Sequence, residues 1–217
     1  MLYSPPADTG LDIIFEDQDI LVLNKPSGLL SVPGKAATHR DSLALRVEAR
    51  YPEALITHRL DMETSGLIVI ARSSGVHRAM SILFQARKVH KTYVAVVDGI
   101  IGENTGSVDL PLICDWPNRP RQKIDHETGK PSLTHYSVLD RDASNQATRV
   151  QLEPVTGRSH QLRVHMLAIG HAILGDQLYA SVSAQKKSSR LLLHASGMTF
   201  HHPVTGDEIN LQSAVPF

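Results

Sequence analysis

Five consecutive apolar residues, Leu67-Ile68-Val69-Ile70-Ala71, follow directly on the polar run His58-Arg59-Leu60-Asp61-Met62-Glu63-Thr64-Ser65-Gly66. A short unbroken apolar run rich in β-branched residues reads as a strand buried on both faces. The chain must therefore wrap other elements around it, and the polar residues before it come to lie at the edge of a sheet. An acid there can face a substrate while its backbone is held. Arg59 beside it is a fixed positive charge that favours the ionised acid and can also contact phosphate. Taken by themselves, the same residues fit better a plain polar turn with Asp61 and Arg59 in a surface ion pair of little energetic value.

The rest of the chain supplies partners for that strand. Leu11 to Glu16 and Ile20 to Asn24 read as two strands around an Asp-Gln-Asp turn, and Asn24-Lys25-Pro26-Ser27-Gly28 breaks regular structure. Asp41 or Ser42 can cap a helix through Tyr51. Ser73 or Ser74 can cap a second helix through about Arg87, with Val76, Met80, Leu83 and Phe84 at helical spacing and basic residues at its end. Tyr93 to Val97 reads as a strand, and residues 102–131 as a long polar excursion of the kind often used for function. Leu133 to Leu139 and Thr148 to Pro154 form a hairpin pattern. Ser159 is placed to cap a helix from His160 to Ile169, which Gly170 can end in the left-handed conformation. The tail offers strands at Leu191–His194, Met198–His201 and Glu208–Gln212. Hairpins mixed with a few helices predict an α+β chain on a largely antiparallel mixed sheet flanked by helices and loops.

Composition narrows the setting. At 217 residues, with 41% hydrophobic and 20% charged residues, the expectation is one soluble domain spanning 1–217. No apolar run is long enough to span a bilayer, and Met1-Leu2-Tyr3-Ser4-Pro5-Pro6 lacks the pattern of a secretory signal. Cys114 is the single cysteine, which excludes an internal disulfide and fits a reducing cytoplasm. His160 and His165 lie five apart, not the four that puts two zinc ligands on one helix face, so no metal is expected. Lys plus Arg balances Asp plus Glu at 22 each, which argues mildly against RNA. The basic residues nonetheless cluster, at Arg87-Lys88 with His90-Lys91, at Arg119, Arg121 and Lys123, and at Lys186-Lys187 with Arg190.

The run HRLDMETSG resembles the catalytic motif of the RluA-type RNA pseudouridine synthases, H-R-L-D-x-x-T-S-G, with every fixed position present. Asn24-Lys25-Pro26-Ser27-Gly28-Leu29 is similar to the family's opening turn and Lys91-Thr92-Tyr93 to its tyrosine-bearing strand. Thr156-Gly157-Arg158-Ser159-His160-Gln161-Leu162-Arg163-Val164-His165 is similar to its second basic motif. Gly170-His171-Ala172-Ile173-Leu174-Gly175-Asp176 and Leu191-Leu192-Leu193-His194-Ala195 also match, so the likeness runs from about residue 12 to 212. It implies the pseudouridine synthase fold, with no N-terminal S4-like RNA-binding module.

The resemblance also implies a chemistry. The bond from uracil N1 to ribose breaks, the base turns, and it rejoins through C5. Nothing is oxidised and no phosphate is consumed, so no cofactor is required. Asp61 is the implied nucleophile or base. Tyr93 is expected to stack on the flipped uracil or assist a late proton transfer, and Arg163 to pair with Asp61 and orient it. Without the family, Tyr93 also fits an outward-facing strand tyrosine and Arg163 a surface group on an amphipathic helix. Arg59 is expected to fill the space the base vacates and to hold flanking phosphates, Arg158 to contact phosphate, and Leu162 to line the pocket or simply the core.

Leu110 to Pro120 resembles the branch that modifies both a 23S rRNA loop and a tRNA anticodon stem-loop. RNA is thus the expected partner of a monomer, with Trp116 and Arg119 as candidate contacts. A packed loop with Trp116 buried is the alternative. Two other classes are weighed: a non-catalytic RNA-binding protein on the same fold, which a replaced Asp61 would favour, and a nucleoside hydrolase, which would want a second acid beside Asp61, with Glu63 the nearest.

Overall fold

The computed structural model describes residues 3–217. Met1 and Leu2, which open the segment read above as lacking a secretory signal, lie outside it. The described chain forms two compact units, one of residues up to Lys91 together with His194–Pro216, the other of Thr92–Leu193 with Phe217.

In the first unit, strands β1 (Ile13–Glu16) and β2 (Ile20–Lys25) form an antiparallel hairpin. Its turn is closed by Asp17, whose Oδ1 accepts from the backbone N of Asp19 and Ile20, both at 2.8 Å. Helix α1 (Leu43–Glu48) follows with Ser42 as its cap. It stops three residues short of the expected Tyr51, because the residue before Pro52 is driven out of helical conformation. The short β3 (Leu55–Ile56) and the central β4 (Ser65–Ala71) come next, then α2 (Ser74–Gln85), capped by Ser73. Arg87 turns into the left-handed region at φ 58°, so the basic residues lie past the end of α2 rather than in its last turn.

All seven residues of β4 are buried. It sits between β2, antiparallel, and β11 (Leu193–His201), parallel, with β12 (Glu208–Gln212) on the far side of β11. The apolar stripe of α2 explains the burial: Val76 and Met80 join Ile20, Val22, Leu67 and Val69 in one core. β11 is one nine-residue strand and corrects the expected pair at Leu191–His194 and Met198–His201. Ala195-Ser196-Gly197 reads as a break by composition, yet small residues are what a crowded strand position needs. Gly66 shows the crowding. Its φ is +112°, and a Cβ there would lie 2.3 Å from the Ala195 carbonyl oxygen.

The second unit is antiparallel in the order β5 (His90–Asp98), β10 (Ala147–Pro154), β9 (Leu133–Asp142), β6 (Thr105–Asp109). A separate hairpin pairs β7 (Leu112–Cys114) with β8 (Gln122–Ile124), and a 3₁₀ turn at Trp116–Asn118 forms its tip. Residues 102–131 therefore hold three short strands and a 3₁₀ turn between loops, rather than a wholly irregular excursion. An exposed edge strand tolerates the polar sequence of β6, and three-residue strands are too short to show a period. Helix α3 (Gln161–Ala168) and α4 (Val182–Lys186) complete the unit.

The expected Ser159 cap of α3 is not formed. His160 stands at the helix start in the left-handed region (φ 54°) with no side-chain cap. Gly170 does end the helical turn with φ 86°. Nor is α3 amphipathic, since Gln161 through Met166 are all buried.

Candidate active site

Asp61 lies half-buried on the loop that feeds β4, with Arg59 exposed beside it. The loop is held by its backbone. Ser31 Oγ donates to the Leu60 carbonyl at 2.7 Å and accepts from Leu60 N at 3.1 Å. Ser27 Oγ donates to the Glu63 carbonyl at 2.7 Å, and Gly28 N to the Met62 carbonyl at 2.9 Å. The Lys25 ammonium, fully buried, donates to the carbonyls of Pro26, Leu29 and Met62 at 2.7–3.0 Å. Apart from Leu60 N, every one of these donors comes from the turn at residues 25–31. That turn thus grips the main chain on both sides of Asp61.

His58 clamps the other end of the loop. Its Nε2 accepts from Val69 N at 3.0 Å and its ring lies 4.6 Å from Phe84. Desolvation of the imidazole, with the nearby Lys91 ammonium, pushes its pKa down to about 3. His58 is therefore neutral and structural at ordinary pH. At the start of β4, Ser65 Oγ meets Nδ1 of buried His194 at 2.8 Å, and His194 Nε2 meets Ser213 Oγ at 3.1 Å.

In the second unit, Tyr93 is on β5 and 9% exposed, which excludes an outward-facing tyrosine. Leu162 is 7% exposed on α3. Arg163 is buried, and Asp176 takes it in a bidentate pair: Nε to Oδ2 and Nη2 to Oδ1, both 2.7 Å. Oδ1 of Asp176 also accepts from the backbone N of Leu178 and Tyr179. The Tyr179 ring lies 5.1 Å from the Arg163 guanidinium carbon. A charged pair this deep needs such saturation to offset its desolvation. Its neighbours on α3 are likewise satisfied: Gln161 donates to the Leu133 carbonyl and Thr134 Oγ1, and His165 meets Ser132 and Thr134.

The remaining predicted contacts are at the surface. Trp116 is 65% exposed, against the alternative of a packed indole, and the Arg119 guanidinium covers one ring face at 4.1 Å. Arg158 is exposed and donates through Nε to the Pro131 carbonyl at 3.3 Å. Two members of the third basic cluster have internal partners: Lys187 pairs with Asp98 at 2.6 Å, and Arg190 lies over the Phe217 ring.

Asp176, Tyr179, Lys25 and Ser31 were missed as site residues. The Gly175-Asp176 and Asn24–Leu29 segments carry the signal, but their partners lie far away in sequence. Among the described residues one group, Asp17, Asp19 and His202, brings metal-type ligand atoms within 4.8 Å. Nδ1 of His202 accepts from the N–H of Val204 and Thr205, so the proton sits on Nε2, which lies 3.1 Å from Asp17. That nitrogen has no lone pair to give a cation. No helix among the described residues is long and apolar enough to cross a membrane.

Comparison with known proteins agrees with this architecture. The family model for RNA pseudouridylate synthase matches residues 19–168. The dual-specificity RNA pseudouridine synthase RluA of Escherichia coli (strain K12) is 52% identical over 215 residues, 99% of this chain and 98% of that protein. Its counterpart in Vibrio vulnificus (strain CMCP6) is 53% identical over 204 residues, 93% of this chain and 82% of that protein. Among solved structures, Human RNA Pseudouridylate Synthase Domain Containing 1 superposes with a TM-score of 0.82 at 30% identity, covering 99% of this chain and 87% of that one. The chain belongs to the RNA pseudouridylate synthase family, with that family's α+β fold, and is an isomerase that makes pseudouridine from uridine in RNA.

Proposed function

We propose that Asp61 starts the isomerisation, and that the substrates are a 23S rRNA loop and a tRNA anticodon stem-loop. The observation that carries the first part is the Asp61 loop itself. Three backbone carbonyls, of Leu60, Met62 and Glu63, are gripped by donors from residues 25–31, so the main chain on both sides of Asp61 is fixed. A catalytic acid needs that fixed backbone, because misplacement by an ångström is costly. The dual-specificity name of relatives matched over nearly their whole length supports the second part, as does the resemblance of Leu110–Pro120.

In this reading the target uridine leaves its stack, at a cost of a few kcal/mol. Asp61 then acts as nucleophile or base while the bond from N1 to C1′ breaks. The base turns, C5 bonds to C1′, C5 loses its proton to water, and N1 ends protonated. No electrons change hands and no co-reactant enters. Arg59, exposed beside the acid, fills the vacated stack and meets phosphate. Tyr93 serves the flipped base, and Arg163 supplies the counter-charge that orients the acid. What supports Arg163 is its rigidity, since Asp176 and Tyr179 fix its plane. Leu162 lines the pocket, and Arg158, Trp116 and Arg119 hold RNA. The enzyme works as a cytoplasmic monomer without metal or cofactor.

RNA tritiated at uridine C5 tests this. A synthase releases tritium to water and frees no uracil. Free uracil would make the protein a hydrolase, and binding with neither product would make it an RNA-binding protein only.

A further inference from the structure

We propose that Tyr179 is a positioning residue that couples the exposed Trp116–Arg119 hairpin to Arg163, so that RNA seated on the hairpin sets the guanidinium for catalysis. The inference rests on the proposed function and extends the part that Tyr179 plays in it from holding Arg163 to linking it with the hairpin.

Three parts of one residue carry it. The phenol oxygen accepts from Gln122 N at 2.7 Å, and it meets His160 Nδ1 at 2.7 Å. The ring lies 5.1 Å from the Arg163 guanidinium carbon and meets His160 edge-on at 5.6 Å. The backbone N of Tyr179 holds Asp176 Oδ1, the same oxygen that accepts from Arg163 Nη2.

The hairpin end of this path is continuous. Gln122 opens β8 and pairs with Cys114. Between them, Asp115 N donates to the Arg121 carbonyl and Asn118 N to the Asp115 carbonyl, which braces the Trp116 turn against the strands. Trp116 offers an indole whose one face carries Arg119, in a segment with the exposed cations Arg121 and Lys123. Stacking of an unpaired base on aromatic rings amid cations is how proteins commonly hold single-stranded RNA.

The catalytic end is equally specific. His160 stands in the left-handed region at the first turn of the helix that carries Arg163. A shift at Gln122 therefore reaches Arg163 by two routes, through the ring and through His160. A tyrosine that merely filled the core would need only one of these contacts.

The experiment is single-turnover tritium release from a C5-tritiated RNA stem-loop, read as saturating rate and half-saturating enzyme concentration. Four proteins are compared: wild type, Trp116→Ala, Tyr179→Phe and the double variant. Tyr179→Phe keeps the ring and loses both hydroxyl contacts. The saturating rate is expected to fall about tenfold in Tyr179→Phe, within the range of measured couplings, while half-saturation stays within about twofold. The double variant should be no slower at saturation than Tyr179→Phe alone. Rates that multiply, or an unchanged saturating rate in Tyr179→Phe, would overturn the coupling. His160→Ala, which removes the other phenol partner, should show the same rate loss and decides the matter should the phenylalanine variant not fold. A wild type that releases no tritium removes the function itself; an active wild type with multiplying losses removes only the role of Tyr179.

Discussion

The loop around Asp61 and the side chain of Arg163 are held by different kinds of partner. Asp61 is fixed through its main chain, by neutral hydroxyls, an amide and one buried ammonium acting on the carbonyls around it. Arg163 is fixed through its side chain, by a buried carboxylate and a ring. The difference teaches what each residue is built to do. Gripping the backbone fixes where an acid stands, whereas gripping the guanidinium sets a charge in one plane. Changing the acid should therefore leave the grip on its loop in place, whereas the second centre should lose fold as soon as its pair is broken.

Breaking the second centre has the largest expected effect. Arg163→Met strands the Asp176 carboxylate, 1% exposed, without a countercharge, and should cost roughly 3–5 kcal/mol in denaturant unfolding. Adding Asp176→Leu should recover most of that stability but none of the turnover. Recovery of turnover as well would show that Arg163 only holds the fold.

Acid should separate the centres next. Folded His58 binds a proton only near pH 3, while an unfolded histidine binds one near 6.5. Stability owed to this residue is thus complete above about pH 6.5 and drains away as pH falls towards 3. From pH 7 to 5 the loss should be about 2 kcal/mol, and His58→Gln should flatten that slope by the same amount in pH-dependent unfolding. A parallel profile for the variant would contradict the neutral clamp. His165, also depressed by burial, contributes in the same direction to both proteins.

A smaller effect should come from Ser31→Ala, which leaves the buried N–H and carbonyl of Leu60 unpaired. Stability should drop on the order of 1–2 kcal/mol, with kcat reduced and KM for RNA nearly unchanged. Equal changes in both would mean that Ser31 acts on RNA binding, not on the Asp61 loop. Smallest is Ser73→Ala at the cap of α2, about 1 kcal/mol in Tm-derived stability, with turnover unaffected.

The legible parts of the sequence were those whose causes are local. The apolar run of β4, the serine caps at 42 and 73, and the left-handed Gly170 each follow from neighbours a few residues away. Residues 102–131 hid three strands, because β6 takes its hydrogen bonds from β9 some thirty residues on, and β7 and β8 are only three residues each. Strand β11 was divided in two because Ala195-Ser196-Gly197 looks weak until Gly66 is seen against Ala195. Helix α3 misled most. Arg163 by itself fits a surface group on an amphipathic helix, but Gln161, Arg163 and His165 are all buried and their partners Thr134, Asp176 and Ser132 lie 13 to 33 residues away in sequence. For the same reason Asp61, with its local motif, could be singled out as a candidate, while Asp176 and Tyr179 could not.

Asp61→Asn on tritiated RNA under single turnover bears most directly on the whole account. The carboxamide keeps the shape of the side chain, and the grip of residues 25–31 on the loop does not depend on the lost charge. Tritium release should fall at least about a thousandfold, with RNA affinity and unfolding midpoint close to those of the wild type. A variant that still releases tritium within tenfold of the wild-type rate would show that the carboxylate at 61 does not start the reaction.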